Sequence, residues 1–500
     1  MTRFTRWTAL TVAAALLTAG CSGGGSPDDG SGGDDKNGEN GGTALDWERC
    51  KATEDAPAPG EDWQCATLQV PLDWSKPEGS TIGLALIRAE ATGDDRLGSL
   101  LFNFGGPGGS GVDMMPSYGA TAAKLRERYD LVSWDPRGVA ASEGVRCRDD
   151  EDIRAAESSV DGTPDTPAEE QAFLQDAVGF GKGCADAAGK LMAHVSTTDT
   201  ARDMDRIRQV LGDDRLNYFG ISYGTELGGV YAHLFPKKVG RMTLDAVVDP
   251  TADTVGHAKN QTRGFQTALD NYLKSTGRDP GQGSREIAEL LERIDSEPLP
   301  TSSSGRELTQ TLALTGIVLP LYSKTSWPVL TSALEAAEEG DGTELLALAD
   351  GYNERDESGH YGTTGHSQRV ISCLDDKQRP TLEETKRLLP EFAEISAVFG
   401  SFLGWDTAGW CHDWPVPGQF DTPEVSAPGA APVLVVGNTG DPATPYEGAR
   451  KMADELGVGV LLTWKGEGHG AYGSGSDCVD STVNAYLLDG TVPKDGKVCS

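Results

Sequence analysis

Apolar residues along this chain follow two rhythms, short runs rich in β-branched residues and longer stretches with a helical period. Thr81 to Ala89 alternates with period two. Leu97 to Phe104 is a compact apolar run leading into glycines, and Tyr129 to Trp134 is a strand closed by the turn Asp135-Pro136-Arg137-Gly138. From Thr198 to Leu211 the period becomes helical, with Met204, Ile207, Val210 and Leu211 on one face. Asn217 to Gly220 is again a strand, Thr225 to Leu234 a helix, and Met242 to Val248 a strand. Strands alternating with helices predict an α/β protein with a mostly parallel sheet and crossover helices.

From Thr251 to about Trp410 the alternation stops. Helical patterns follow one another at Gly264–Leu273, Ser284–Ile294, Trp327–Ala337, Thr343–Tyr352 and Leu382–Phe392. Strands resume at Pro432–Gly437 and Val458–Trp464. The expected organisation is a core over 44–250, a helical cap over 251–410, and the rest of the core over 411–500.

The amino-terminal region adds an address. Arg3 and Arg6 precede a short apolar run, Trp7 to Gly20, too short to span a bilayer comfortably. Residues 1–20 therefore read as a signal peptide. The run ends in Leu17-Thr18-Ala19-Gly20-Cys21, similar to a bacterial lipobox, so Cys21 is the expected lipidation site. Thr18 stands where Leu is commoner, and a general signal peptide with a free Cys21 is the alternative. Residues 21–43, nearly all Gly, Asp, Ser and Asn after the Cys, cannot bury apolar surface and read as a flexible tether. A lipid at Cys21 would be the only link to a membrane; otherwise the protein is secreted.

Nine cysteines occur, and setting Cys21 aside leaves an even number, as suits a compartment where disulfides persist. Connectivity is not determined by the sequence. Nearest-neighbour pairing is the simplest expectation: Cys50–Cys65, Cys147–Cys184, Cys373–Cys411 and Cys478–Cys499. None of these eight has CxxC spacing, which argues against zinc, and nothing points to another cofactor. The net charge of −34 excludes nucleic acid as a natural partner. Most of that acidity reads as a soluble surface; some of it could attract a cationic substrate group.

The chemistry centres on Gly220-Ile221-Ser222-Tyr223-Gly224, a G-x-S-x-G elbow between a strand and a helix, with Ser222 as nucleophile. A tight strained turn at the Ser leaves no room for larger flanking residues. Asn103 to Gly111 forms a glycine-rich loop after an early strand. In an α/β-hydrolase fold such a loop supplies half of the oxyanion hole, here Gly106, and the N–H of Tyr223 supplies the rest. No Lys-Ser/Thr follows these glycines, so they are not a P-loop. Asp441 and His469 each follow a late strand, in the order Ser, acid, His that this fold requires. His469 would take the Ser222 proton and Asp441 would hold the imidazole tautomer. The other histidines lie before the elbow, on its helix, or in the cap and at its edge.

With these residues in place the chain resembles the secreted tripeptidyl aminopeptidases of actinobacteria, near the prolyl aminopeptidase group of α/β-hydrolases. The carriers are Gly105-Gly106-Pro107-Gly108-Gly109, Trp134-Asp135-Pro136-Arg137-Gly138, Tyr223-Gly224-Thr225, Gly440 to Pro445 and Gly468-His469-Gly470. The likeness runs from about Trp47 to Cys499. Phe104 departs from the His that opens this loop in prolyl aminopeptidases, which weakens the case for strict proline specificity. The resemblance implies peptide substrates with a free amino terminus and cap carboxylates to pair with the ammonium. Asp375, in a Cys-containing segment similar to one in the family, and Glu226, four residues after the nucleophile, are the candidates. Either could equally be an ordinary structural acid. An esterase or lipase with the same triad is the alternative activity, mildly disfavoured by the charged cap; a surface lipoprotein without activity would need all three catalytic residue types by accident.

Overall fold

The computed structural model describes residues 45–52, 57–303 and 305–500, so the expected signal peptide, Cys21 and the tether lie outside the described residues. The predicted apolar runs become strands of one sheet: β1 (Glu48–Arg49), β2 (Trp63–Pro71), β3 (Thr81–Ala89), β4 (Gly98–Asn103), β5 (Tyr129–Trp134), β6 (Leu216–Ile221), β7 (Val239–Asp245), β8 (Val433–Gly440), β9 (Gly459–Glu467) and β10 (Lys497–Cys499). Their spatial order is β1-β2-β3-β5-β4-β6-β7-β8-β9-β10. Pairing is antiparallel from β1 to β5 and parallel from β5 to β10. Every residue of β4 and β5 is buried, as expected of central strands covered on both faces.

Parallel strands present all their carboxyl ends on one edge, where loops can converge on a ligand. Here β4 runs into the glycine-rich loop, β6 into Ser222, β8 into Asp441 and β9 into His469. The sheet thus brings together segments that are hundreds of residues apart.

Between β7 and β8 the chain leaves the sheet and forms helices from Thr254 to Gly409. They have their own apolar core, including Phe265, Leu269, Ile287, Leu291, Leu312, Ile317 and Leu330. Five of these helices follow the predicted periods. Gln310–Leu321 does not, because it is apolar on nearly all sides and carries no amphipathic signal. Thr364–Asp375 and Gly400–Gly409 also form without having been expected.

A further departure lies earlier in the chain. Residues expected to belong to the core form two helices, α1 (Asp150–Ser159) and α2 (Pro167–Ala188), the second started by a Thr166/Glu169 capping box with Pro167 in its first turn. Ile153, Ala156 and Glu157 of α1 line the same cavity as the cap helices. The helical cover of the sheet edge is therefore wider than 251–410.

Four disulfides join Cys50–Cys65, Cys147–Cys184, Cys373–Cys411 and Cys478–Cys499, the nearest-neighbour pattern. The Asp135-Pro136-Arg137-Gly138 turn has a structural use. Arg137 makes a bidentate, fully buried pair with Asp203, at 2.6 and 2.7 Å, and Asp203 also accepts from Trp74 Nε1 at 3.0 Å. No helix among the described residues is long and apolar enough to cross a membrane.

Candidate active site

The strand-to-helix turn that carries Ser222 is tight enough to explain both flanking glycines. The helix it starts is α3 (Tyr223–Leu234), and Ser222 stands at φ 57°, ψ −126°. A non-glycine residue held in so sparsely populated a conformation costs about 1–3 kcal/mol, a strain the surrounding packing must hold. A Cβ on Gly220 would lie 2.3 Å from the Gly224 carbonyl oxygen, and one on Gly224 would lie 2.6 Å from that of Asn103. The Ser222 N–H donates to the carbonyl of Asp245 at 3.1 Å.

The glycine-rich loop presses against this turn. A Cβ on Gly105 would sit 2.8 Å from Ser222 Cβ and 3.1 Å from Tyr223 N. The Gly105 N–H is taken by Asn103 Oδ1 at 3.1 Å. The next N–H, that of Gly106, has no acceptor among the described residues. Tyr223 opens α3, where a first-turn N–H has no intrahelical partner. These are the two amides expected to form the oxyanion hole. Asp135 anchors the far end of the loop, accepting from Ser110 Oγ at 2.7 Å and from Val112 N at 3.0 Å.

On the opposite side, His469 Nδ1 lies 2.9 and 3.1 Å from the two carboxylate oxygens of Asp441. Asp441 is buried and also accepts from Ala443 N at 3.0 Å and Thr444 N at 2.9 Å, which fixes its orientation. Burial pulls the imidazole pKa down, but the charge and hydrogen bond of Asp441 outweigh it, and the net shift is upward. The His469 loop is held by two residues that the sequence did not single out. Tyr322, from the cap, accepts the His469 N–H at 2.8 Å and sets its ring edge-on to the imidazole, centroids 5.3 Å apart. Asp245, at the end of β7, accepts from Ala471 N and Tyr472 N. Asp245 could have been noticed as an acid closing an apolar strand; nothing local to Tyr322 marks it.

Ser222, Tyr223, Gly106, Glu226, Asp375 and His469 all line one cavity of about 1020 Å³ between the sheet edge and the helices. Its apolar wall includes Phe104, Met114, Val318 and Phe402, and its acidic wall Glu226, Asp375 and Asp376. Asp375 accepts from Thr197 N at 3.0 Å and Thr197 Oγ1 at 2.6 Å, and the same hydroxyl meets Tyr223 Oη. Burial, against those hydrogen bonds, pushes Asp375 up to about 8. Burial likewise takes Asp376 to about 6, and burial plus the charges of Asp375 and Asp376 raises Glu226 well above the usual carboxylate range. His257 and His366 also line the cavity. His366 Nδ1 accepts from Cys147 N, and burial depresses its pKa to about 4. Among the described residues no cluster of His, Cys, Asp and Glu is arranged to hold a metal ion.

Comparison with known proteins places this geometry in context. A family model described as TAP-like protein matches residues 396–499. The serine protease Hip1 of Mycobacterium tuberculosis is 37% identical over 482 residues, covering 92% of this chain and 91% of that protein. Carboxylesterase B of the same species is 36% identical, covering 87% and 86%. The tripeptidyl aminopeptidase of Streptomyces coelicolor is 31% identical, covering 91% and 86%.

Proposed function

The chain belongs to the α/β-hydrolase family of the actinobacterial tripeptidyl aminopeptidases and is a serine hydrolase, and from that premise we propose that it is an exported exopeptidase cutting peptide bonds near a free amino terminus. Ser222 Oγ attacks the scissile carbonyl while His469 takes its proton, and Asp441 stabilises the imidazolium. The N–H groups of Tyr223 and Gly106 receive the oxyanion. Protonation of the leaving amine by His469 leaves an acyl-enzyme, which water opens by the reverse proton path.

The observation that carries the exopeptidase reading is the acidic wall beside the elbow. Glu226 and Asp375 are held above the ordinary carboxylate range, with no basic side chain within ion-pair distance among the described residues. A substrate ammonium would supply the missing counter-charge and draw both toward the ionised form. Four disulfides support an oxidising compartment, and the lipobox-like Cys21 supports anchoring there by lipid.

A second reading has its own support. The apolar wall and the likeness to a protein named carboxylesterase B suit an acyl ester. Hydrolysis of free and acetyl-capped tripeptide anilides, beside an acyl ester and a Ser222→Ala control, separates the two. Turnover of the free peptide, lost on capping and in Asp375→Asn or Glu226→Gln through a raised KM, is the expected result. Equal turnover of the capped peptide refutes the ammonium anchor, and turnover of esters alone moves the protein to the carboxylesterases.

A further inference from the structure

Asp245 has no role in the chemistry described above, yet it touches both reacting segments. Strand register places it between them: it lies opposite Ile221 of β6 and opposite Val436 of β8. Its carbonyl accepts the Ser222 N–H at 3.1 Å. Its carboxylate accepts Ala471 N at 3.1 Å through Oδ1 and 3.0 Å through Oδ2, and Tyr472 N at 2.9 Å through Oδ2. Those amides lie two and three residues past His469.

The arrangement is costly for a merely structural strand end. The side chain is 2% exposed and has no basic partner within ion-pair distance among the described residues. Burying a carboxylate without a counter-ion is unfavourable, and hydrogen bonds from backbone amides recover only part of that cost. An apolar residue would end β7 without the penalty but would leave the two loop amides without an acceptor. What the carboxylate adds is a fixed link between the elbow and the loop that carries the base. Positioning at this level matters, because about 1 Å of misplacement costs on the order of 10²-fold in rate.

We propose that Asp245 is a positioning residue for catalysis, which holds the His469 loop at the distance from Ser222 that proton transfer requires. The proposal rests on the assignment of Ser222 and His469 given above. Its charge also faces the imidazole, alongside that of Asp441, while Tyr322 and Thr444 present neutral groups. Two consequences follow. Loss of the hydrogen bonds lowers kcat without weakening substrate binding. Loss of the charge alone removes part of what keeps His469 protonated, so the acid limb of the rate profile moves to lower pH.

The test compares Asp245→Ala, Asp245→Asn and Ser222→Ala with the parent. A p-nitrophenyl ester is the substrate, so the result does not depend on peptide specificity. Rates are expressed per folded molecule, from near-ultraviolet circular dichroism. Asp245→Ala is expected to lower kcat tenfold or more with KM within twofold. Asp245→Asn, whose one carbonyl oxygen can take the Oδ2 position that accepts from both amides, is expected to regain most of that loss and to shift the acid limb downward. A kcat for Asp245→Ala within twofold of the parent overturns the proposal. So does an unshifted acid limb in Asp245→Asn, which decides the matter if the Ala variant does not fold. Activity persisting in Ser222→Ala would instead remove the underlying site assignment.

Discussion

Replacing Gly105 by Ala tests whether the glycine-rich loop works by its close approach to the elbow. The residue stands at φ +92°, and an added Cβ would lie 2.6 Å from the carbonyl oxygen of Ile221, 2.8 Å from Ser222 Cβ and 3.1 Å from Tyr223 N. None of these is the movable end of a side chain. Ordinary contact begins near 3.4 Å, so loop and elbow must part by about 0.8 Å, the difference between 3.4 and 2.6 Å. Gly106, the next residue, moves with the loop. An oxyanion donor acts over a narrow range of about 2.7–3.1 Å, and removing one costs roughly 10²–10³-fold in kcat. The expected result is a fall of about 10²-fold in kcat with a smaller change in KM, read on an acyl ester. The strain of a side chain at positive φ, about 1–3 kcal/mol, lowers stability as well. Gly429→Ala controls for it, since Gly429 has φ +83° and nothing within 4 Å of the added carbon. If Gly105→Ala keeps kcat within threefold of Gly429→Ala, the loop is not placed by this contact and the reasoning fails.

Other outcomes follow from the same structure. Asp441→Asn should lower kcat by about 10⁴-fold, the scale seen when the acid of such a triad becomes an amide. The residual rate should have its acid limb at lower pH, because the hydrogen bond and charge that raise His469 are weakened; a limb that stays in place counts against that assignment. In the parent, activity needs neutral His469, so kcat/KM should fall as pH drops through a value above the ordinary histidine pKa of about 6.5. Thermal stability should run the other way. Burial raises Asp375 to about 8 and Asp376 and Asp406 to about 6, against 3.8 for an ordinary Asp. The folded state therefore binds more protons than the unfolded chain between about pH 4 and 8, and stability is lost as pH rises through those folded values. Scanning calorimetry should give a higher Tm at pH 5 than at pH 8, and a flat or rising Tm contradicts it. Arg137→Ala should cost about 3–5 kcal/mol in urea unfolding, because it leaves Asp203 buried without its partner; a loss under about 1 kcal/mol would mean that water or another group replaces the guanidinium.

The order of strands and helices could be read from the chain because it is a local property. Period two at Thr81–Ala89 and the apolar runs at Val433 and Val460 say strand in any context. So could the candidate site residues, since an elbow needs small residues on either side of Ser222 wherever it occurs. Disulfide pairing, by contrast, was a choice of simplicity among many, and the close approach of chain segments decided it. Gln310–Leu321 carries no helical signal because burial on nearly all sides erases the period that reveals a helix. Helix α1 leaves no hydrophobic stripe to read in the sequence, because none of its residues is fully buried. What belongs to the tertiary structure alone is contact between distant segments: the Tyr322 carbonyl on the amide of His469, Asp245 between the elbow strand and the base loop, Thr197 bridging Asp375 and Tyr223. No periodicity or motif encodes these. They exist because a parallel sheet gathers its carboxyl ends on one edge and the cap closes over them, bringing residues from separate crossovers within hydrogen-bond reach.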